Sequence, residues 1–348
     1  MYSKWLVACG LAIGAQGFGV GKTPPAPPPF DADLFRKDQQ VYSGHVEFLF
    51  WNAISGGLDY ALKMEGASEY SDITFADGYM QKATYHWEPG FRLGFSFYRA
   101  PSTWEIKFQY TRMTLAGSDQ TAAPSAVDVR GPYLTGTWPQ VVAGSLASAD
   151  SHLHMNYNVG DVFVTRVFIP NLHLRLRLLG GLTSAWLDQD FKINYFNTTA
   201  DYTTVRNRWK FAGGGLKAGT VFDWFWSSDM YVTGMATFSS VIGHYANRAK
   251  QVTNLESTPS NPAVDVRNSK YFDTRPLFNA QFLIGPSWQK NFSSSRWEVF
   301  AGLEMTTWMN VNEIFRSTGG VVTEAKETLI NSSFLTLYGL TARVTADF

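Results

Sequence analysis

The stretch Phe334–Phe348, FLTLYGLTARVTADF, decides the fold. Every second residue from Phe334 is Phe, Thr, Tyr, Leu, Ala, Val, Ala and Phe, whereas Gly339, Thr341, Arg343, Thr345 and Asp347 hold the other face. A period of two with one apolar and one polar face is a strand between an oily and a wet phase. Alternation alone fits a soluble sandwich as well as a membrane wall. The last residue separates the two, because Phe348 puts an aromatic on the apolar face of a strand that in water would invite aggregation.

Composition narrows the choice. A chain of 348 residues suffices for one large barrel or two ordinary domains. Its formal charge is zero, so nothing points to nucleic acid. Aromatic residues make up 16%, with 12 Trp and 26 Phe, against only 17% charged residues. No apolar stretch beyond the N-terminus approaches the roughly 20 residues of a helical span. A closed barrel is the other structure that satisfies every backbone group in lipid.

The N-terminus reads as an export signal. Lys4 precedes an apolar run from Trp5 to Phe18, with Ala15-Gln16-Gly17 as the cleavage site. We assign 1–17 to a signal peptide, 18–40 to a Pro-rich periplasmic linker containing KTPPAPPPF (22–30), and 41–348 to the barrel. The single cysteine, Cys9, falls in the signal, so disulfides play no part. Leu6-Val7-Ala8-Cys9 looks like a lipoprotein box but has too little apolar sequence before it.

About ten strands follow, with a range of 10–14, as an antiparallel up-and-down transmembrane barrel. They are expected near 41–53, 86–98, 104–115, 152–168, 172–187, 207–224, 230–243, 271–288, 296–310 and 334–348. The fifth is the cleanest, with Leu172, Leu174, Leu176, Leu178, Leu182 and Trp186 on one face and His173, Arg175 and Arg177 on the other. The fourth begins with Leu153, Met155, Tyr157 and Val159 as its lipid face and needs a bulge near Gly160 to keep Asp161 out of lipid. Short connections at 99–103, 169–171, 225–229 and 289–295 alternate with long polar ones at 54–85, 116–151, 188–206, 244–270 and 311–332. That sorting is the layout of periplasmic turns and extracellular loops. Further strands could hide where Leu58, Tyr60 and Leu62 alternate and in 133–142. Trp87, Trp186, Trp209 and Trp308 are expected in an outer aromatic girdle, and Trp104, Trp224, Trp288 and Trp297 in an inner one.

Several phrases resemble the Legionella-type major outer membrane protein family, which includes MOMP-like proteins of chlamydia-related bacteria. They are Phe48-Leu49-Phe50-Trp51-Asn52-Ala53, Gly57-Leu58-Asp59-Tyr60-Ala61 and Trp87-Glu88-Pro89-Gly90-Phe91-Arg92-Leu93-Gly94. Later come Gly302-Leu303-Glu304-Met305 with Trp308 and Asn310, and Leu337-Tyr338-Gly339-Leu340-Thr341-Ala342-Arg343. The resemblance implies an abundant pore-forming barrel of the bacterial outer membrane, with a homo-oligomer among its expected forms. The final strand is similar to the closing strand of such barrels, which implies that Phe348 is the signal read by the barrel assembly machinery.

The chain has no HExxH, nucleophile elbow, phosphate loop or paired cysteines, so neither an enzyme nor a cofactor is expected. His152 and His154 are read as polar lumen residues. The expected pore lining is Arg92, Lys107, His173, Arg175, Arg177, Asn279, Gln281, Glu298, Glu304 and Arg343. Arg175 and Arg177, with Lys217, could form a basic wall facing an acidic wall of Glu298 and Glu304, orienting small polar solutes or ions. Alternatively, these side chains pair with neighbours such as Arg343 and fill the lumen. The corresponding functions are a weakly selective porin in contact with outer-membrane lipid, and a surface adhesin or structural barrel with a closed lumen.

Overall fold

The computed structural model describes residues 39–70, 73–99, 103–124, 134–138, 146–198, 201–254, 263–311, 313–317, 327–331 and 334–348. The expected signal peptide and all but the end of the Pro-rich linker lie outside the described residues. The strands in chain order are β1 (Val41–Ser55), β2 (Asp59–Tyr70), β3 (Ile73–Lys82), β4 (Glu88–Arg99), β5 (Trp104–Ala122), β6 (Leu134–Gly136), β7 (Leu146–Asn171) and β8 (Leu174–Asn197). They continue with β9 (Tyr202–Phe225), β10 (Met230–Asn254), β11 (Val264–Asn291), β12 (Arg296–Met309), β13 (Glu313–Ser317), β14 (Glu327–Asn331) and β15 (Phe334–Asp347).

Ten of these form an antiparallel ring: β1, β4, β5, β7, β8, β9, β10, β11, β12 and β15. They correspond one for one to the ten strands read from the sequence. The ring closes where β15 pairs with β1, from Ser43 opposite Asp347 to Ser55 opposite Leu335. Tyr42 and Phe348 extend the seam by exchanging backbone hydrogen bonds of 3.1 and 2.9 Å. Gly339 lets this seam pack tightly, since a Cβ there would lie 2.2 Å from the Phe50 carbonyl oxygen and 2.8 Å from the Trp51 ring.

The outward faces are apolar over one band of the ring. Val46, Phe48, Phe91, Leu93, Phe108, Leu178, Phe238, Phe282, Leu303 and Leu340 are all exposed there. Spanning hydrocarbon takes about 9–11 residues of a tilted strand. β1, β4, β12 and β15 have 12–15 residues and little more than span it. β7 to β11 have 24–28 and continue well beyond on the side away from the termini.

Here the sequence reading needs correction. The stretches 188–206 and 244–270, expected as loops, are mainly strand, ending at Asn197 and resuming at Tyr202, and ending at Asn254 and resuming at Val264. Most of their charge lies on the outward face, while Phe191, Ile193, Tyr195, Val205 and Ala249 point inward and are buried beside polar residues such as Gln189, Thr203 and Asn247. β7 shows the same inversion. Leu153, Met155, Tyr157 and Val159 point into the barrel, while His152 and His154 point out. No bulge occurs at Gly160, where Thr111 opposite Val159 and Gln109 opposite Asp161 continue one register. The backbone does not change phase; the solvent outside it does.

Above the lipid band, then, the barrel behaves as a water-soluble tower with an apolar core. Its open side is covered by the antiparallel β2–β3 hairpin, which reaches β7 through β6, a short strand among the described residues of 133–142. Leu58, Tyr60, Ala61 and Met64 are buried beneath this hairpin. Tyr195 donates to the Tyr60 carbonyl at 2.6 Å, and Tyr60 donates to Asp119 at 2.9 Å.

The aromatic girdles are only partly as expected. Trp104, Trp224, Trp288 and Trp297 are exposed at the inner rim, and Trp87 and Trp186 at the outer one. Trp209 and Trp308 turn inward and are 0% and 1% exposed, packed with Trp51 in the tower core. The Trp308 indole donates to the Tyr157 hydroxyl at 3.3 Å. Replacing Trp308 by Ala should therefore cost about 3–5 kcal/mol of stability, the range for truncating a core aromatic. Trp186→Ala should cost far less, and denaturant unfolding of detergent-solubilised protein compares the two. Equal losses would contradict the inward placement of Trp308.

Candidate functional site

The interior divides into two halves. The outer half holds the apolar core, which includes Leu49, Trp51, Met113, Leu115, Leu153, Met155, Phe211, Trp308 and Leu337, with Arg275 and the amides Gln189, Asn207, Asn247 and Gln251 buried among it. The inner half, towards the termini, carries ionisable side chains delivered by the inward positions of the ring strands.

The boundary between the halves is a belt of buried polar contacts. Arg92 on β4 donates to both carboxylate oxygens of Glu304 on β12, at 2.7 and 3.0 Å, reaching across β1 and β15. The same guanidinium contacts Glu47 of β1 at 2.5 Å and Thr111 of β5 at 2.9 Å. Glu304 further accepts from Thr341 of β15 at 2.7 Å and from Gln281 of β11 at 2.5 Å. Lys217 of β9 bridges Gln281 at 3.0 Å to Asp161 of β7 at 3.1 Å. Every acid in this belt therefore meets a cation or a donor.

Below the belt, Asp223 of β9 takes Arg175 at 2.8 Å and Arg177 at 2.8 Å, and also accepts from Thr233 at 2.9 Å. Arg343 donates to Glu298 at 3.0 Å, and Arg296 donates to Asp347 at 2.6 Å. Lys107 and Glu105 of β5 face the same space and form no hydrogen bond or salt bridge with described residues. Two small cavities lie here, of about 90 and 70 Å³. Each has room for a few waters at roughly 30 Å³ apiece. Glu105, Lys107, Arg177 and Arg343 line both, so these four side chains separate the two spaces.

Residues 37–347 match the family described as the Legionella pneumophila major outer membrane protein precursor. The chain belongs to that family. It is an outer-membrane β-barrel, and its place is the bacterial outer membrane. No curated protein sequence matches it. Among solved structures, it is similar to the outer membrane protease OmpT from Escherichia coli at 8% identity and a TM-score of 0.42, over 91% of this chain and 98% of that one. A Pseudomonas aeruginosa FadL homologue matches at 7% identity and a TM-score of 0.23, over 89% and 90% of the two chains. The P. putida toluene transporter TodX matches at 8% identity and a TM-score of 0.18, also over 89% and 90%. Likeness at this level carries no argument about activity.

In this member of the family, Arg92, Arg175, Gln281, Glu298 and Glu304 are buried in the inner half, with Lys107, Arg177 and Arg343 partly buried beside the cavities. Asn279 is also inward and buried, but it sits level with Trp308 in the apolar half and donates to the Thr307 carbonyl at 3.3 Å. His173 is not a strand residue. It occupies the turn between β7 and β8, where its carbonyl accepts from the Phe225 amide at 2.8 Å. Arg175, Arg177 and Glu298 of the expected basic and acidic walls line the same cavity, but each pairs elsewhere. Arg175 and Arg177 are taken by Asp223 on the adjacent strand, Glu298 by Arg343 and Glu304 by Arg92, which is the neighbour-pairing alternative.

Sequence reasoning missed Asp223, because the run Gly213–Gly215 blurs the phase of β9. It also placed Asp161 only by invoking a bulge. Counting back in twos from Phe225 would have found Asp223. His152 and His154, expected in the lumen, stand on the outer surface of the tower. His152 lies 3.1 Å from Asp150 with its side chain 59% exposed.

On the tower surface, Asp188 pairs with Arg208 at 2.6 Å and with Lys210 at 3.2 Å. Burial alone would raise the Asp188 carboxyl, but the hydrogen bonds from Arg208 and Lys210 outweigh it and hold the group below the ordinary carboxylate range. The folded pKa thus lies below the unfolded one. The pairing stabilises above about pH 4 and is lost as pH falls through the depressed value. Thermal unfolding of wild type and Asp188→Asn should differ at neutral pH and converge in strong acid; a gap that persists there would contradict the pairing.

A second expectation concerns Asp223. Asp223→Asn keeps the shape but leaves two guanidiniums without their counter-charge, and breaking a buried ion pair in this way costs about 3–5 kcal/mol. Lys107→Gln breaks no hydrogen bond or salt bridge with described residues and should be near neutral. Denaturant titration in micelles tests both, and a harmless Asp223→Asn would refute the pairing.

Proposed function

We propose that the protein is a narrow outer-membrane channel for ions and small polar solutes that rests closed. The inner half is its water-accessible vestibule, and the apolar outer half is a hydrophobic gate. Hydrophobic constrictions in channels gate by dewetting, so an apolar plug above a polar chamber suits this role. One observation carries the reading. Two cavities are divided by charged side chains, two of which, Glu105 and Lys107, form no hydrogen bond or salt bridge with described residues. Burying charge is expensive, and the outer half shows that the same barrel can be filled mainly with apolar residues. A purely structural barrel has no use for the difference.

The passage of solutes in this reading involves no catalytic step. Selectivity follows the charges left outside hydrogen-bonded ion pairs, so Lys107 counts for more than Arg175 or Arg177. Phe348 keeps its expected role with the barrel assembly machinery, its ring on the lipid face while its backbone pairs with Tyr42.

Single-channel recording of refolded protein in planar bilayers tests the proposal. Brief, small conductance steps are expected. Lys107→Glu should move the reversal potential towards cations and Glu105→Gln towards anions. Both shifts should shrink as the Debye length falls from about 10 Å at 0.1 M salt to about 3 Å at 1 M. Silence at every voltage would sink the channel reading. It would favour the second one, a closed structural or adhesive barrel, which the tight filling of the outer half supports.

A further inference from the structure

The outward face of the tall wall carries a cluster of cations immediately above the lipid band. Strand register sets Arg208 beside Arg248 and Arg248 beside Lys270, and one step higher Arg206 lies between Lys192 and Lys250. Successive steps are two residues apart, or about 6–7 Å along the strand. Nearby carboxylates occupy part of this set: Asp188 takes Arg208 and Lys210, Asp190 takes Arg206, and Asp265 takes Lys250. Lys192, Arg248 and Lys270 are exposed and make no ion pair with described residues. Like charges directly opposite on neighbouring strands destabilise a sheet, so the row Arg208–Arg248–Lys270 calls for an anion from outside.

Directly below lies exposed apolar surface, with Leu216, Ile242 and Phe272 between 62% and 68% exposed. A groove of about 830 Å³ begins at the same level, floored by Gly160, Ser184 and Gly214 between Tyr110 and Leu182. Packing does not impose the glycine at Gly214, because a Cβ there would meet nothing closer than 3.8 Å. Cations above exposed apolar surface, with a groove opening beside it from β9 towards β4, match an amphiphile with a phosphate head and hydrocarbon chains. A free anion would satisfy only the upper half.

We propose that this surface is a binding site for an anionic phospho-lipid of the outer leaflet. The phosphate lies on Lys192, Arg248 and Lys270, and an acyl chain lies in the groove over Gly214. The lipid would neutralise the cation row and fill the groove, fixing the tall wall at a set depth in the bilayer. The site is independent of whether the lumen conducts.

Full-length protein refolded in detergent can be titrated with lipid A, a diphosphorylated glycolipid, and bound lipid counted by native mass spectrometry. Wild type should retain lipid A at a concentration about tenfold lower than the dephosphorylated form, given the gain of each basic residue near an anionic surface. The triple variant Lys192→Gln, Arg248→Gln, Lys270→Gln should abolish that preference. Gly214→Leu should weaken both lipids alike by blocking the chain. Heat-modifiable gel migration confirms that each variant is folded, and Lys270→Gln alone serves if the triple variant is not. Equal retention of lipid A by wild type and a folded variant would overturn the proposal. So would complete displacement by millimolar inorganic phosphate, which would mark a site for free anions.

Discussion

The grip of Arg92 on Glu304 is the contact on which the rest of the barrel depends. The two residues sit on β4 and β12, which flank the closing pair β1 and β15, so their bidentate bond bridges behind the seam. Glu47 from β1 and Thr341 from β15 join the same cluster. All four short strands are therefore tied to one buried group. These strands have the least backbone pairing to offer, and a lone buried charge on any of them would be costly. The cluster turns that liability into a condition: the charges are satisfied only when the ring is closed in the right register.

The belt also explains why the interior changes character where it does. A one-residue slip in any wall would turn its charged positions towards lipid and its apolar positions inward. Outside the ring, the penalty for charge fixes the phase of the lower wall. Inside, the belt fixes the level at which the apolar filling begins. The cavities survive only below that level, where ion pairs between neighbours hold side chains against the wall rather than across the lumen.

Much of this was legible in the residues. The period-two faces of Phe48 and Phe50, of Leu176 and Leu178, and of the final strand placed the ten ring strands and turned Arg92, Arg175 and Glu304 inward. Hydropathy failed where the solvent changed along one strand. Leu153 to Val159 read as a lipid face because nothing local reveals that the outside there is water. For the same reason Trp209 and Trp308 passed for girdle residues, and 188–206 for a loop. Partners could not be read at all: Asp223 meets Arg175 and Arg177 through cross-strand register, which needs the whole sheet to be in place.

The strands β7 to β10 face opposite ways in their two halves, apolar outward in the lipid band and largely apolar inward in the tower. Before insertion, no compact arrangement in water can bury both sets at once. A chain crossing the periplasm would expose long, sticky strands whichever face it folded upon, and unpaired edges of that kind aggregate readily. Water alone therefore offers these strands no compact state. The tower can collapse around its core only after its lower half has found lipid.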